Sequence, residues 1–448
     1  MTLLGQKAQS SEETKRLKAL VAEMKARGID IPAAIQLAKK RWPVDNNGYF
    51  TKNSGKFYEP TEAHKNFIAS SARFIGFVGS RGSGKALAID TLIPTINGWK
   101  RMEEIEAGDI VFDEGGNPTK VLSTSPVMHN HDCYEITFDE GSKVIADGEH
   151  FWSIDYLFDR RKSFSTPRIF TTKDLASRKL KTGSNYIYRI PTCPPLKFLE
   201  KELQLHPYLL GVWLGDGSRR EAKVYIHDKD IEIINRIVAL GYPTKKLNEY
   251  CSWSLADRGN KSKVKVQETL RDIGVLNDKH IPNEYLTSSV EHRIALLQGL
   301  MDTDGTVSKR GHCSFDSCSE ILAKDVYKLV SSLGIKASLK LFYSTCNGEK
   351  HKYYKVVFTS SSISVFSLDR KKKRQKMDSI RTDIHNRSII EITQVKSVPV
   401  KCIQVASASK LFLMGYSCMP THNSAAGAQK ALRKIKEGNS GAVLNPDF

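Results

Sequence analysis

His422-Asn423-Ser424 carries, in three consecutive residues, the groups needed to cut a chain and rejoin it. An asparagine amide can attack its own carbonyl, close a succinimide and release the downstream chain. The histidine beside it titrates near neutral pH and can act as acid or base. The serine hydroxyl can hold an acyl group as an ester until its freed amine takes it over. Alone, such a tripeptide reads more simply as a surface turn, but its setting reverses that. Gly79-Ser80-Arg81-Gly82-Ser83-Gly84-Lys85 spells G-x-x-x-x-G-K after the apolar run 74–78. Neither the hydroxyl residue nor the helix of a phosphate-binding loop comes next. Both stand after Asn423, as Ser424 and the Ala/Lys-rich stretch 425–437. Removing Ala86 to Asn423, 338 residues, closes the text to GSRGSGKS before a helix. In that closed loop the backbone around Gly79, Gly82 and Gly84 would cradle phosphates, Lys85 would reach the outer ones, and Ser424 would ligate magnesium. A Gly/Ser-rich linker is the bland alternative, and the flanking strand and restored helix weigh against it. The insert reads as one written to remove itself.

Those groups must be positioned by the elements between them. A chain of 448 residues predicts several domains. A formal charge of +19 points to an acidic polymer, nucleic acid first, as partner. Eight cysteines without a C-x-x-C pair argue against a disulfide framework or zinc site and suit a reducing cytosol. No stretch approaches membrane-spanning length and the N-terminus has no signal-like apolar core, so a soluble cytoplasmic chain is expected.

Residues 1–85 open with helical signals: Ser10 with Glu13 as a capping box, Gly28 as a stop, and a second segment over 31–42. From 86 to 200 short strands and turns predominate. Asp113–Pro118 is a turn cluster, and residues 133–138 and 143–146 flank Asp139-Glu140-Gly141-Ser142 as a hairpin. Over 201–385 helices and strands alternate, and the pattern repeats. LLGVWLGDG (209–217) and LQGLMDTDG (297–305) each end in Asp-Gly and precede a polar hairpin and a helix, predicted over 230–240 and 320–333. Their acids, Asp216 and Asp304, are 88 positions apart. The cationic run 369–376 reads as a solvated linker or a DNA contact. Over 386–423 strands return, at 389–394, 401–405 and 411–414. Residues 424–448 belong with 1–85, and together they are too short for a complete P-loop motor, so a truncated host is expected.

The insert resembles an intein: Ala86-Leu87-Ala88-Ile89-Asp90-Thr91 is similar to the family's opening block, usually C-L-A-x-D-T, but with no nucleophile at Ala86. Trp152 in DGEHFW, Cys402 in VKCIQV and Thr421 in PTHN match the signature triplet of class 3 inteins. The resemblance implies an all-β Hint (horseshoe) splicing domain. It further implies that Cys402 attacks the Lys85–Ala86 bond to form a branched thioester. His150 assists, with Asp147 where the family usually has threonine, and Trp152 and Thr421 position Cys402. Ser424 then takes the acyl group and Asn423, aided by His422, cyclises. Taken singly, Cys402 and Trp152 would read as core residues. Lys410 stands where many inteins carry a histidine.

The repeated segment resembles an α+β LAGLIDADG homing endonuclease, with KHIPNEYL (279–286) similar to intein-borne members. Helices packed along Gly211 and Gly299 would bring Asp216 and Asp304 together to hold Mg²⁺ for phosphodiester hydrolysis. The partner implied is double-stranded DNA, the uninterrupted host allele. Basic helpers are not assignable by pattern; Lys340 is a guess. The flanks resemble fragments of an α/β P-loop ATPase, on Arg81 inside GSRGSGKS a phage terminase large subunit using ATP and Mg²⁺ and joining a packaging motor in an infected bacterial cell, with a helicase as competitor. Splicing needs no cofactor. The alternatives are a P-loop ATPase with a permanent DNA-binding insert, and an ordinary intein disabled by a Cys-to-Ala change at Ala86.

Overall fold

The computed structural model describes residues 86–159, 167–255, 265–346, 349–377 and 382–422. All of them fall in one compact unit. The expected phosphate-binding loop, with Gly79, Gly82, Gly84 and Lys85, lies outside the described residues, as do the helical flanks, Asn423 and Ser424.

Short alternating strands build an eight-stranded sheet in the order Val400–Lys401, Leu87–Ala88, Lys143–Asp147, Cys133–Phe138, Asn386–Val395, Tyr188–Pro191, Phe151–Tyr156, Arg168–Thr171. A five-stranded sheet runs Ile403–Val405, Pro118–Thr124, Ile110–Phe112, Leu92–Thr95, Gly98–Arg101. The predicted hairpin forms, with Thr137 opposite Lys143 and Gly141 at φ +94° in its turn. Glycine suits that position because a Cβ is strained there. Inward residues such as Ile136, Phe138, Trp152 and Phe412 fill the core beneath the sheets. The first strand of this body lies between two distant ones: Leu87 pairs with Lys401 and with Ala146.

The sequence predicts one strand over 401–405, and the structure breaks it. Val400–Lys401 stays in the large sheet while Ile403–Val405 joins the five-stranded one. Cys402 is the residue at which the chain changes sheets. Its backbone is satisfied by Ser125 instead of a ladder: Cys402 N–H donates to Ser125 Oγ at 3.1 Å, and Ser125 N–H to the Cys402 carbonyl at 2.9 Å.

Pro191 pairs with Asn386, so the residues between them leave and return at one place in the sheet. They form an α+β body around the helices Pro207–Asp216 and Val290–Thr303. Two small sheets flank these helices, one of Lys223–Tyr225, Ser252–Ser254 and Lys245–Lys246, the other of Gly305–Val307, Cys313–Ser317, Glu349–Phe358 and Ala337–Cys346. The predicted helices appear as Ile231–Ala239 and Glu320–Ser332. The cationic run is exposed at Arg370, Lys372, Lys373, Arg374 and Lys376, but not throughout. Asp369–Lys372 is a short helix and its Lys371 is buried, because the ammonium finds four backbone carbonyls there.

The joint between the two bodies centres on Arg293, which is fully buried. Its guanidinium donates to the carbonyls of Ser288 (3.0 Å), Ser332 (2.8 Å) and Leu196, and lies 5.0 Å from the Phe198 ring centre. Lys336 donates to Asp139 at 2.7 Å and to the Asn386 carbonyl at 2.8 Å. Among the described residues no helix is long and apolar enough to cross a membrane.

Candidate functional site

The first site forms where the first strand of the sheet body meets Val400–Lys401. Ala86 is fully buried and its carbonyl accepts the Asp147 N–H at 3.0 Å. One position beyond the Leu87–Lys401 pair stands Cys402, 7% exposed. Ala86, Cys133, Val400 and Cys402 form one buried cluster. Residues 316 apart in sequence are thereby brought to one spot, with a thiol beside the start of the insert.

A second group surrounds His150, which is fully buried just before the strand Phe151–Tyr156. The Asp147 carbonyl accepts the His150 N–H at 3.0 Å, and its carboxylate accepts the Glu149 N–H at 2.9 Å. His150 Nε2 is 2.6 Å from Thr421 Oγ1. The indole of Trp152 meets the His150 ring edge-on with centres 4.9 Å apart, and donates to Thr172 Oγ1 at 3.0 Å. Thr172 in turn donates its N–H to the His150 carbonyl at 2.9 Å. Trp152 and Thr421, expected to position Cys402, thus make these contacts with His150. Thr421 and His422 lie on the Leu411–Met414/Met419–His422 hairpin, opposite Phe412 and Leu411. His422 packs against the Phe151 ring with centres 5.8 Å apart. Lys410 is exposed and adopts φ +61° at the mouth of that hairpin.

Three residues here escaped sequence reasoning. His131 Nδ1 is in very short contact with the Asp147 carboxylate. Ser125 brackets Cys402, and Thr172 holds both Trp152 and His150. No motif marks them; they are assembled by pairing between distant strands.

The second site lies where the helices Pro207–Asp216 and Val290–Thr303 end side by side. Their approach requires glycine: a Cβ on Gly211 would stand 2.3 Å from the Leu296 carbonyl oxygen, and one on Gly299 2.3 Å from that of Tyr208. The two helix ends bring Asp216 and Asp304 together. Burial and the neighbouring Asp304 push the Asp216 carboxyl up to about 6, and burial raises Asp304 as well.

Two lysines close the same ends. Lys279 Nζ donates to the carbonyls of Gly215 (2.9 Å) and Gly217 (2.7 Å). Lys371 Nζ donates to those of Met301 (3.0 Å), Asp302 (2.7 Å), Thr303 (2.9 Å) and Gly305 (2.7 Å). Each ammonium satisfies the orphan carbonyls of a helix end and faces its negative pole. Burial lowers both, Lys279 to about 8 and Lys371 to about 8. Lys340 instead stands exposed on the Ala337–Cys346 strand. Among the described residues no three His, Cys, Asp or Glu side chains converge as a closed metal cage. The pair Asp216/Asp304 fits a divalent ion whose other ligands come from outside the protein, since its crowded negative charge is what such an ion neutralises.

Residues 291–368 match the family model of a LAGLIDADG-like domain. That stretch contains most of the second helix, Asp304 and the sheet beyond it. Among curated proteins, a "Replicative DNA helicase DnaB" of Mycobacterium intracellulare is 32% identical over 364 residues, covering 77% of this chain and 60% of its own. Another of that name from Mycobacterium leprae is 41% identical over 75 residues, 17% of this chain and 12% of its own. The chain therefore spans 60% of the first relative's length and far less of the second's. The first alignment is more than three times as long as the 110 residues outside Ala86–Asn423, so it runs mainly through the insert. Neither relative carries the terminase name expected from GSRGSGKS. Of solved structures, the MchDnaB-1 intein is 15% identical, with 75% of this chain and 100% of that chain covered at a TM-score of 0.26. Mesophilic variants of the homing endonuclease I-DmoI are 14% identical, with 38% and 92% covered at 0.25.

Proposed function

We propose that residues 86–423 are a self-splicing intein in which Cys402 is the first nucleophile. The observation that carries this reading is the burial of Ala86 and Cys402 in one cluster, beside the pairing of the first strand with Val400–Lys401. The Cys402 thiolate attacks the carbonyl carbon of Lys85. The C–N bond to Ala86 breaks, and the amine leaves with a proton supplied by His150. A thiolate suits the step because it is strongly nucleophilic and its thioester stays reactive toward a hydroxyl. Ser424 Oγ then displaces the thiolate to give an ester. Asn423 closes to a succinimide and frees the insert, with His422 as its acid–base partner. The Ser424 amine finally takes the acyl group from its own oxygen, leaving Lys85–Ser424 as an ordinary peptide bond. Asp147 with His131, and Thr421 with Trp152, fix the place of His150 and the backbone around Ala86.

Expression of the chain and of Cys402→Ala, followed by intact mass, tests this. The parent is expected to yield a 338-residue species and a ligated product of the flanks, and the variant neither. Unaltered splicing in Cys402→Ala overturns the nucleophile and leaves Ala86 as the mark of a different route. A single intact chain from the parent overturns splicing and favours the permanent DNA-binding insert.

The α+β body is proposed as a site-specific endonuclease for duplex DNA, the uninterrupted host allele. Asp216 and Asp304 would hold Mg²⁺, which supplies charge for phosphodiester hydrolysis. Lys279 and Lys371 orient the two carboxylates' helix ends and add positive charge beside the scissile phosphate. The flanks are proposed as parts of a P-loop ATPase of the bacterial cytoplasm whose loop closes only on splicing. The terminase likeness rests on Arg81 inside GSRGSGKS and on the short N-terminal lead, and a helicase is the competing motor; unwinding assays on the ligated full-length host decide between them.

A further inference from the structure

Lys401, the residue before the thiol, has no part in the chemistry described, yet its ammonium is built into the protein. The residue is 7% exposed, and Nζ donates to the carbonyls of Glu103 at 2.9 Å and Ile105 at 2.8 Å. Those carbonyls end the short 3₁₀ turn Met102–Glu104. The same turn grips the opening of the insert: Met102 N–H donates to the Thr91 carbonyl at 2.8 Å and Glu103 N–H to that of Ile89 at 3.0 Å. Ile89 N–H reaches back to the Pro399 carbonyl at 3.1 Å, and Leu87 pairs with Lys401 itself.

The contacts close a ring. One arm runs through the backbone from Lys401 to Leu87 and Ile89. The other runs through the Lys401 side chain to the 3₁₀ turn and from there back to Ile89 and Thr91. The thiol and the first residue of the insert are thereby locked in register from two sides. The backbone arm alone is weak, because Leu87–Ala88 is only two residues long. A buried ammonium that lost its carbonyl partners, or carbonyls that lost their ammonium, would be left unsatisfied away from water, so the arm holds firmly.

We infer that Lys401 is a positioning residue for the splicing nucleophile, a buried cationic clamp that fixes the strand of Cys402 against residues 86–91. The inference rests on the splicing reading. Attack on a carbonyl requires reacting atoms about 3–3.5 Å apart, and a displacement of about 1 Å costs on the order of 100-fold in rate. Replacing the ammonium by an apolar chain of similar shape should therefore slow thioester formation and spare the separate cyclisation at the far end.

The test uses the full chain as parent, Lys401→Met and Lys401→Arg. Two rates are read: dithiothreitol-released cleavage at Lys85–Ala86, which reports the Cys402 thioester, and release at Asn423 measured in a Cys402→Ala background. The expected result is a roughly 10- to 100-fold slower thioester in Lys401→Met, partial recovery in Lys401→Arg, and release at Asn423 within about twofold of the parent. An unchanged thioester rate in Lys401→Met overturns the clamp. So does an equal fall in both rates, which would mark a general loss of folding. A parent that gives no thiol-released cleavage at all overturns the splicing mechanism instead, so the two failures are distinguishable.

Discussion

At the scale of single residues, the proposed chemistry rests on Cys402, buried beside Ala86, and on His150, held between Thr421 and Trp152. Cys402, His150, Thr421 and Asp216 stand out because their types fit a reaction. Lys371 does not, since a run of lysines looks solvated until tertiary structure buries one of them against four carbonyls. His131 is invisible for the same reason: only strand pairing brings it to Asp147. His150→Ala should slow cleavage at Lys85–Ala86 by on the order of 100-fold, as loss of a general acid does; quantified gel bands against the parent check it. The carboxylate pair gives a pH prediction. The Asp216 pKa is raised from 3.8 to about 6 in the fold. Its neutral form therefore favours folding below the unfolded value, and that contribution is lost as pH rises through about 6. Above that, the ionised pair repels itself and a divalent cation relieves it. Mg²⁺ should raise the melting temperature at about pH 8 and not at about pH 5, and Asp216→Asn should abolish the response. Equal shifts at both pH values would falsify this.

At the scale of elements, the first motif helix, Pro207–Asp216, closely matches the expected 209–217, whereas the second, Val290–Thr303, begins well before the expected 297–305. The first is buried on every side from Pro207 to Leu214, so apolar composition marks it more than periodicity does. The break at Cys402 was not legible. The run Val400–Val405 has a continuous strand composition, and the change of sheet is decided by Ser125 and by which neighbours pair on each side. The glycine contact was legible as spacing and is confirmed as geometry. Gly211→Ala should destabilise the α+β body by about 3 kcal/mol or more, since its Cβ would meet backbone with no rotamer to relieve it. Denaturant melts that match the parent would show that the helices can separate without cost.

At the scale of the whole molecule, the order of strands came only from the structure, because the sheet is assembled from both ends of the insert around a second body threaded between them. Arg293 ties that body to the linker at Leu196, and its guanidinium is lowered to about 10 by burial. Arg293→Met should lower the unfolding free energy by several kcal/mol, at about 1–3 for each orphaned carbonyl; a stability equal to the parent's would place the strength of the joint elsewhere. The burial of Ala86 carries one more consequence. On the proposed splicing route, the amine left when the upstream bond breaks would be held in the interior by the pairing of Leu87. Linear and branched chains would then interconvert within one molecule, and opening the bond would commit nothing. Direction is imposed by the irreversible ring closure at the opposite terminus, so an Asn423→Ala chain should settle at a fixed ratio of the two forms, reached equally from either side.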